Sequence, residues 1–405
     1  MTDTTGKTRS TEPLAYHPAD PNLWRDPYPF YARLRDEDPV HRVEHRGRDF
    51  FVLSRFADVF AAANDTETFS SAQGLTYEED EIAALGLAPT IVMMDRPQHT
   101  VFRRLVNQLF TPRTVASLEP AVRAFVAGRV RRIAEAREAD FVEEIAGPLP
   151  GLVVATYLGV PEADRARFSA WSSAIVQANA GGSVVRDAAQ AVGDLYAYFT
   201  GLVERRRAQP GEDMLSVLVA ADIDGRPVTV EEILGFCFVM IAGGNDTAAG
   251  LLGGSAALLT AFPGERRRLL EDPELLAPGI EELLRMTAPV QGLSRTATRD
   301  VEIHGTAVPA GHKVHLLYAS ANRDPREFGP DADVLDVGRR ARRMLTFSSG
   351  PHHCLGAAAA RLQGRVVVEE LLATIPDFVA DAAEGHIAPG PFTRRFESLP
   401  IRATA

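Results

Sequence analysis

Phe347-Ser348-Ser349-Gly350-Pro351-His352-His353-Cys354-Leu355-Gly356 is the stretch on which the reading of this chain turns. It ends a long irregular segment, Asn322 to Thr346, and leads into a strong helical pattern, about Leu355 to Thr374, stopped by Pro376. Loops of that length inside a compact domain are usually functional. Cys354 therefore falls at a helix start, where the macrodipole and free backbone N–H groups favour a thiolate. Gly350 and Gly356 let the backbone approach a flat partner closely. A cysteine in this position is inert packing, a zinc ligand beside His352 and His353, or a ligand to a larger metal cofactor. Zinc needs further ligands, and no second cluster with finger-like spacing is present. The other cysteine, Cys237, lies in an apolar helical run and reads as plain packing.

Composition narrows the function classes. The 405 residues are 45% hydrophobic and 24% charged, which is a globular balance with ample material for a core. Forty-three basic against 54 acidic residues give a net charge of −11, unfavourable for nucleic-acid binding. Arg339, Arg340, Arg342 and Arg343 form a local basic cluster, either a solvated loop or a docking or carboxylate-binding patch. Two cysteines argue against a disulfide framework and fit a reducing cytoplasm. Met1 to Pro21 is polar and lacks a signal-like apolar core. The longest apolar run, Ile233 to Ala242, is far shorter than the ~20 residues that cross a bilayer. A cytoplasmic protein without a membrane span is expected.

Along the chain no repeat or linker appears. Residues 1–20 read as a flexible tail and 21–405 as one domain. Tyr28 to Leu34 reads as a short helix and Phe50 to Leu53 as a strand. Ser71 to Leu87, with Gly74 and the acidic run Glu78 to Glu81, reads as a long loop. His99 to Val115 and Pro120 to Ala136 are helical in pattern, as is nearly everything from Ala163 to Glu282. Within that region Thr229 and Glu232 form a capping-box signature, predicting a helix from Val230 to about Thr260, roughly 45 Å long. Such a helix is apolar on most sides and must be buried. Yet its middle is Gly243-Gly244-Asn245-Asp246-Thr247, residues that weaken a buried helix, and such a conflict marks a functional site. Val301 to Ile303 and Lys313 to Leu317, separated by Pro309-Ala310-Gly311, read as paired strands.

The loop matches F-x-x-G-x-x-x-C-x-G, and the chain resembles the cytochrome P450 family, closest to soluble actinobacterial members. The resemblance runs from about Asn22 to Pro400. It implies a mainly α fold with small β-sheets, and heme b (iron protoporphyrin IX) held between the long central helix and the cysteine-loop helix. Cys354 would be the axial ligand, a thiolate that favours O–O cleavage, with Phe347, Gly350, Gly356 and Gly243 around the cofactor. Glu282-Leu283-Leu284-Arg285 fits the family's E-x-x-R pair, completed by Arg339 in a buried structural network. His99 and Arg103, with Arg295 and His352, match the positions that bind the haem propionates. Asp246 and Thr247 match the family's proton-relay pair.

The activity implied is insertion of one oxygen atom from O2 into a hydrophobic small molecule. Electrons would come from a separate ferredoxin and an NAD(P)H-dependent reductase, since no Rossmann or flavin module is fused. Arg104, Arg340, Arg343 and Arg361 are candidates for the ferredoxin face. The family places Leu75, Ile91, Val176, Asn179, Met240, Gly243, Val290, Leu293 and Phe392 near the substrate, an almost wholly apolar set. Two departures stand out: Ser348 replaces the usual glycine after the loop phenylalanine, and Met344 replaces a common histidine. The alternatives are a peroxide-driven haem-thiolate enzyme, a non-catalytic haem sensor, and a helical binding protein without haem.

Overall fold

The computed structural model describes residues 14–78, 90–180, 189–223 and 225–404, with the side chains of 175–180 excepted. About 55% of the chain is helical, and the sheets are small. The organising element is the helix Val230–Ala261, called here the central helix, 32 residues long. Its start is fixed by the capping box: the Glu232 N–H donates to Thr229 Oγ1 at 3.2 Å, and the Thr229 N–H to Glu232 Oε2 at 2.9 Å. The helix is apolar all round because it is packed all round, by Pro148–Tyr157, Leu276–Thr287 and Ala357–Thr374 among others. Ile233, Phe236, Ile241, Leu251, Leu252 and Leu259 are all buried, each worth about 1.5–3 kcal/mol for a large side chain. By length and composition this helix could cross a membrane, but 61% of its most apolar window is buried inside the protein.

Beside the helical body stands a five-stranded sheet in the order Val40–His45, Arg48–Leu53, Lys313–Leu316, Leu293–Ala297, Phe69–Ser70. Arg48–Leu53 and Lys313–Leu316 run parallel, and the other neighbours are antiparallel. This corrects the expected pairing of 301–303 with 313–317. Val301–Ile303 instead pairs with Thr306–Val308 across His304-Gly305, both at positive φ (51° and 79°). Two residues at positive φ make the tight turn whose twist suits a hairpin, so the chain reverses there and not at Pro309-Ala310-Gly311.

Two further readings change. The single helix expected over 99–115 is broken into Gln98–Asn107, the 3₁₀ turn Gln108–Phe110 and Pro112–Ala116. Pro112 pushes Thr111 into extended backbone (φ −66°, ψ 155°), and the Thr111 hydroxyl then caps the next turn by accepting from the Thr114 N–H. The described end of the stretch read as a tail, residues 14–20, is packed instead of free. Tyr16 is buried, meeting Tyr31 and His41 edge-on, and His17 Nε2 lies 3.1 Å from His45 Nδ1. A buried aromatic ring carries enough apolar area to dock a short segment.

The irregular stretch before the cysteine loop is held by polar contacts in place of secondary structure. Arg285 and Glu282, both with fully buried side chains, pair at 2.7 Å, and Arg339 Nε reaches Glu282 Oε1 at 3.1 Å. Arg285 also donates to the Asn322 and Ala332 carbonyls, each at 2.7 Å. Asn322 in turn donates to Thr346 Oγ1 and accepts from the Leu345 N–H, while the Thr346 hydroxyl donates to the Leu284 carbonyl. The expected third arginine is thus in contact with the pair, and the network reaches Leu345 and Thr346, the residues just before Phe347.

Candidate active site

The cysteine loop and the central helix face one another across a cavity of about 1510 Å³. Ordinary small-ligand pockets run to roughly 1,000 Å³, so this space exceeds what one small ligand fills. Gly243, Gly244, Thr247 and Ala248 line one wall; Phe347, His352, Cys354 and Gly356 line another.

Cys354 is solvent-exposed by surface area, but what it is exposed to is this internal cavity. Its N–H donates to the Phe347 carbonyl at 3.0 Å. Burial pushes its thiol up, opposed by the Gly356 and Ala357 backbone N–H groups and by Arg103 and Arg361. The helix itself begins at Ala357, slightly later than expected, so those two N–H groups lie between the sulfur and the first full turn. Among the described residues no group of three or more His, Cys, Asp or Glu is arranged to hold a metal ion, which leaves a zinc reading of this loop without ligands.

Gly350 requires a correction of reason. It does not line the cavity; its φ is +70°, and an added Cβ would stand 2.8 Å from Asn64 Oδ1 on the helix Phe56–Asn64. The glycine is needed for the turn and for docking on that helix. Ser348, where the family has glycine, also sits at positive φ, 58°. Its hydroxyl lies 3.2 Å from Tyr318 Oη, a contact that offsets part of the left-handed strain.

His99, Arg103, Arg295 and His352 converge. The His99 and His352 rings are 4.1 Å apart, and His99 Nε2 is buried with no hydrogen-bond partner. Arg103 donates to the His353 carbonyl at 2.5 Å, and Arg295, buried on its strand, donates to the Ser294 carbonyl. Burial first, then the charges of Arg295, His99 and Arg103, hold His352 down to about 3. The nearby carboxylate, Asp95, is taken up by Ser70 and by the Ser71 N–H. Neither Arg103 nor Arg295 has an ion pair with an acid among the described residues. Two arginines and two histidines, with His99 and Arg295 buried, Arg103 and His352 half-buried and one ring nitrogen orphaned, are the donor set that two carboxylates require. With a sulfur opening onto the same cavity, these residues fit a haem.

On the central helix the Thr247 hydroxyl donates to the Gly243 carbonyl at 2.8 Å, and a Cβ at Gly243 would meet nothing within 4 Å. Asp246 is buried but does not line the cavity; its Oδ1 lies 2.6 Å from Arg395 Nε. Burial raises its carboxyl to about 6 against the pull of Arg395. Leu75, Ile91, Met240, Val290, Leu293 and Phe392 all line the cavity, whereas Val176 and Asn179 lie outside the residues whose side chains are described. Sequence reading missed Arg395 and Thr90, a residue of the cavity wall whose buried hydroxyl has no partner. Neither carries a local signal: each matters through a residue remote in the chain.

Residues 266–374 match the family model for cytochrome P450. Cytochrome P450 130 of Mycobacterium tuberculosis is 52% identical over 396 residues, covering 96% of this chain and 97% of that protein. The chain is a cytochrome P450. As a P450 it is a heme b-binding oxidoreductase. Vitamin D(3) 25-hydroxylase of Pseudonocardia autotrophica is 37% identical over 359 residues, 88% of each chain. Among solved structures, the P450 PksS of Bacillus subtilis 168 superposes with a TM-score of 0.88 at 29% identity, covering 96% of this P450 and 100% of that chain.

Proposed function

We propose that this P450 is a monooxygenase acting on a largely apolar small molecule, with electrons delivered by a separate ferredoxin and its NAD(P)H-dependent reductase. Bound heme b supplies the activation of O2: substrate, O2, two electrons and two protons give the oxygenated product and water. Cys354 would hold the iron, and His99, Arg103, Arg295 and His352 would hold the propionates. Gly243, beside which an added Cβ would meet nothing within 4 Å, would leave room for the cofactor and its substrate. Asp246 would serve as the proton donor toward Thr247, which lines the cavity. Leu75, Ile91, Met240, Val290, Leu293 and Phe392 exclude water and reward an apolar body.

One observation carries this reading: the Cys354 sulfur opens onto the cavity that Thr247 lines and that His99, Arg103 and His352 flank. The decisive measurement is the absorption spectrum of the reduced, CO-bound protein. A strongly red-shifted Soret band that Cys354→Ser abolishes is expected; an unshifted band in the parent protein would remove the proposal. The likeness to a vitamin D(3) hydroxylase makes vitamin D3, a mostly hydrocarbon molecule, the first substrate probe. Turnover driven as well by peroxide as by the redox chain would favour the peroxide-driven alternative.

For the ferredoxin, Arg343 and Arg361 are already paired with Glu327 and Glu281. Arg104 and Arg340 form no ion pair among the described residues, and the docking charge rests mainly on them. Arg104→Glu with Arg340→Glu should raise the KM for ferredoxin severalfold with little change in kcat, because lost steering acts on association. An unchanged KM would rule out this face.

A further inference from the structure

Asp246 is the only charged residue on the central helix after Glu232. Its neighbour Thr247 lines the cavity, but the Asp246 carboxylate is engaged elsewhere, by Arg395. The two side chains are 5% and 11% exposed, so the pair is nearly sealed from water.

Arg395 is not an isolated partner. The residues just before it, Pro391, Phe392 and Thr393, form part of the cavity wall. That segment is tied to residues 289–291 by three links: the Gln291 N–H donates to the Phe392 carbonyl, the Arg394 N–H donates to the Pro289 carbonyl, and Val290 bridges Thr393. It also presses on the central helix one turn beyond Asp246. A Cβ added to Gly250 would stand 2.6 Å from the Arg394 carbonyl oxygen. Phe392 and Thr393 thus join the cavity wall to Arg395 through two or three residues of constrained backbone.

We infer that Arg395 is a positioning residue for this P450: it holds Asp246 away from the cavity, fixes when that carboxyl carries a proton, and couples both to occupancy of the Phe392–Thr393 wall. The inference rests on Asp246 serving as the proton donor. Arg165–Ala180 and Ala189–Ala208 also pack on the central helix; there Arg206 pairs with Asp213, Arg207 with Glu204, Asp194 accepts from Gln190, and Arg167 and Arg205 lie over Trp171 and Tyr198. The packed helix Pro148–Tyr157 has no charged residue. On the neighbouring turn Val142–Ala146, Glu143 is exposed and Glu144 is held by Arg129 and Arg132. The charges on Leu276–Thr287 and Ala357–Thr374 are matched in Glu282–Arg285–Arg339, Glu281–Arg361, Arg365–Glu369 and Glu370–Arg123. Glu397, on the adjoining strand, is exposed. Arg395 thus remains the cation that opposes the burial of Asp246.

The test is infrared difference spectroscopy of the haem-loaded protein, following the protonated-carboxyl band that disappears in Asp246→Asn. The parent band should titrate near pH 6. Arg395→Gln should move the midpoint up by about 1–3 units, the usual effect of an adjacent opposite charge, with Arg395→Lys in between. Phe392→Ala, which touches neither partner, should also shift the midpoint. An unchanged midpoint in Arg395→Gln overturns the inference. A shift there with none in Phe392→Ala overturns the coupling to the cavity wall. If Arg395→Gln does not fold, Arg395→Lys decides: a raised midpoint supports the inference and an unaltered one ends it. Asp246→Asn with undiminished vitamin D3 turnover would instead sink the proton-donor reading and leave the titration result standing.

Discussion

At the scale of single residues, the balance between burial and one neighbouring charge decides what Asp246 does. Its carboxyl titrates near 6 when folded, above the ordinary value of 3.8, because burial outweighs the pull of Arg395. Between those values the folded protein keeps a proton that the unfolded chain has released. Stability from this group is therefore present at low pH and is lost as pH rises through about 6, by up to about 3 kcal/mol. Asp246→Asn removes that slope. The unfolding free energy of the variant minus that of the parent should grow with pH and level off above about 6; a difference independent of pH would contradict the assignment. Cys237 is the contrasting case. Fully enclosed beside other apolar groups, its thiol is pushed far up and it is a packing residue, as its apolar context suggests.

At the scale of elements, the central helix reconciles two demands that conflict locally. A single long helix has to bury nearly all its surface, yet it must leave a groove at Gly243 and admit a neighbouring backbone at Gly250. Glycines weaken a helix by about 1 kcal/mol each relative to alanine, and packing on all sides offsets the loss. The capping box supplies part of the remainder. Thr229→Ala should lower stability by about 1 kcal/mol in urea unfolding, with the haem spectrum unchanged since the cap is remote from Gly243. A perturbed spectrum would show the cap coupled to the site.

For the whole molecule, the network around Glu282 is what lets a long irregular stretch present a cysteine at a fixed position. Glu282 meets Arg285 and Arg339, and Arg285 holds the carbonyls of Asn322 and Ala332. Glu282→Ala leaves Arg285 fully buried with no acidic partner, a change that costs about 3–5 kcal/mol. The expected outcome is a large fall in Tm and in the yield of haem-loaded protein, although Glu282 does not line the cavity. Normal haem content and Tm would mean that the loop is held by its backbone alone.

The sequence by itself determined the elements whose signals are local: the capped central helix, the cysteine loop with its following helix, the E-x-x-R pair at i,i+3, and the His99/Arg103 pair at i,i+4. Each depends on spacing within a few residues, which helical geometry converts directly into a shared face. Tertiary structure decided what depends on distant partners. Asp246 meets Arg395, Gly350 is required by Asn64, and Lys313–Leu316 pairs with Arg48–Leu53 and Leu293–Ala297 instead of its near neighbour. Strand register and buried ion pairs are fixed by what the folded chain brings alongside, and a local pattern does not contain that information.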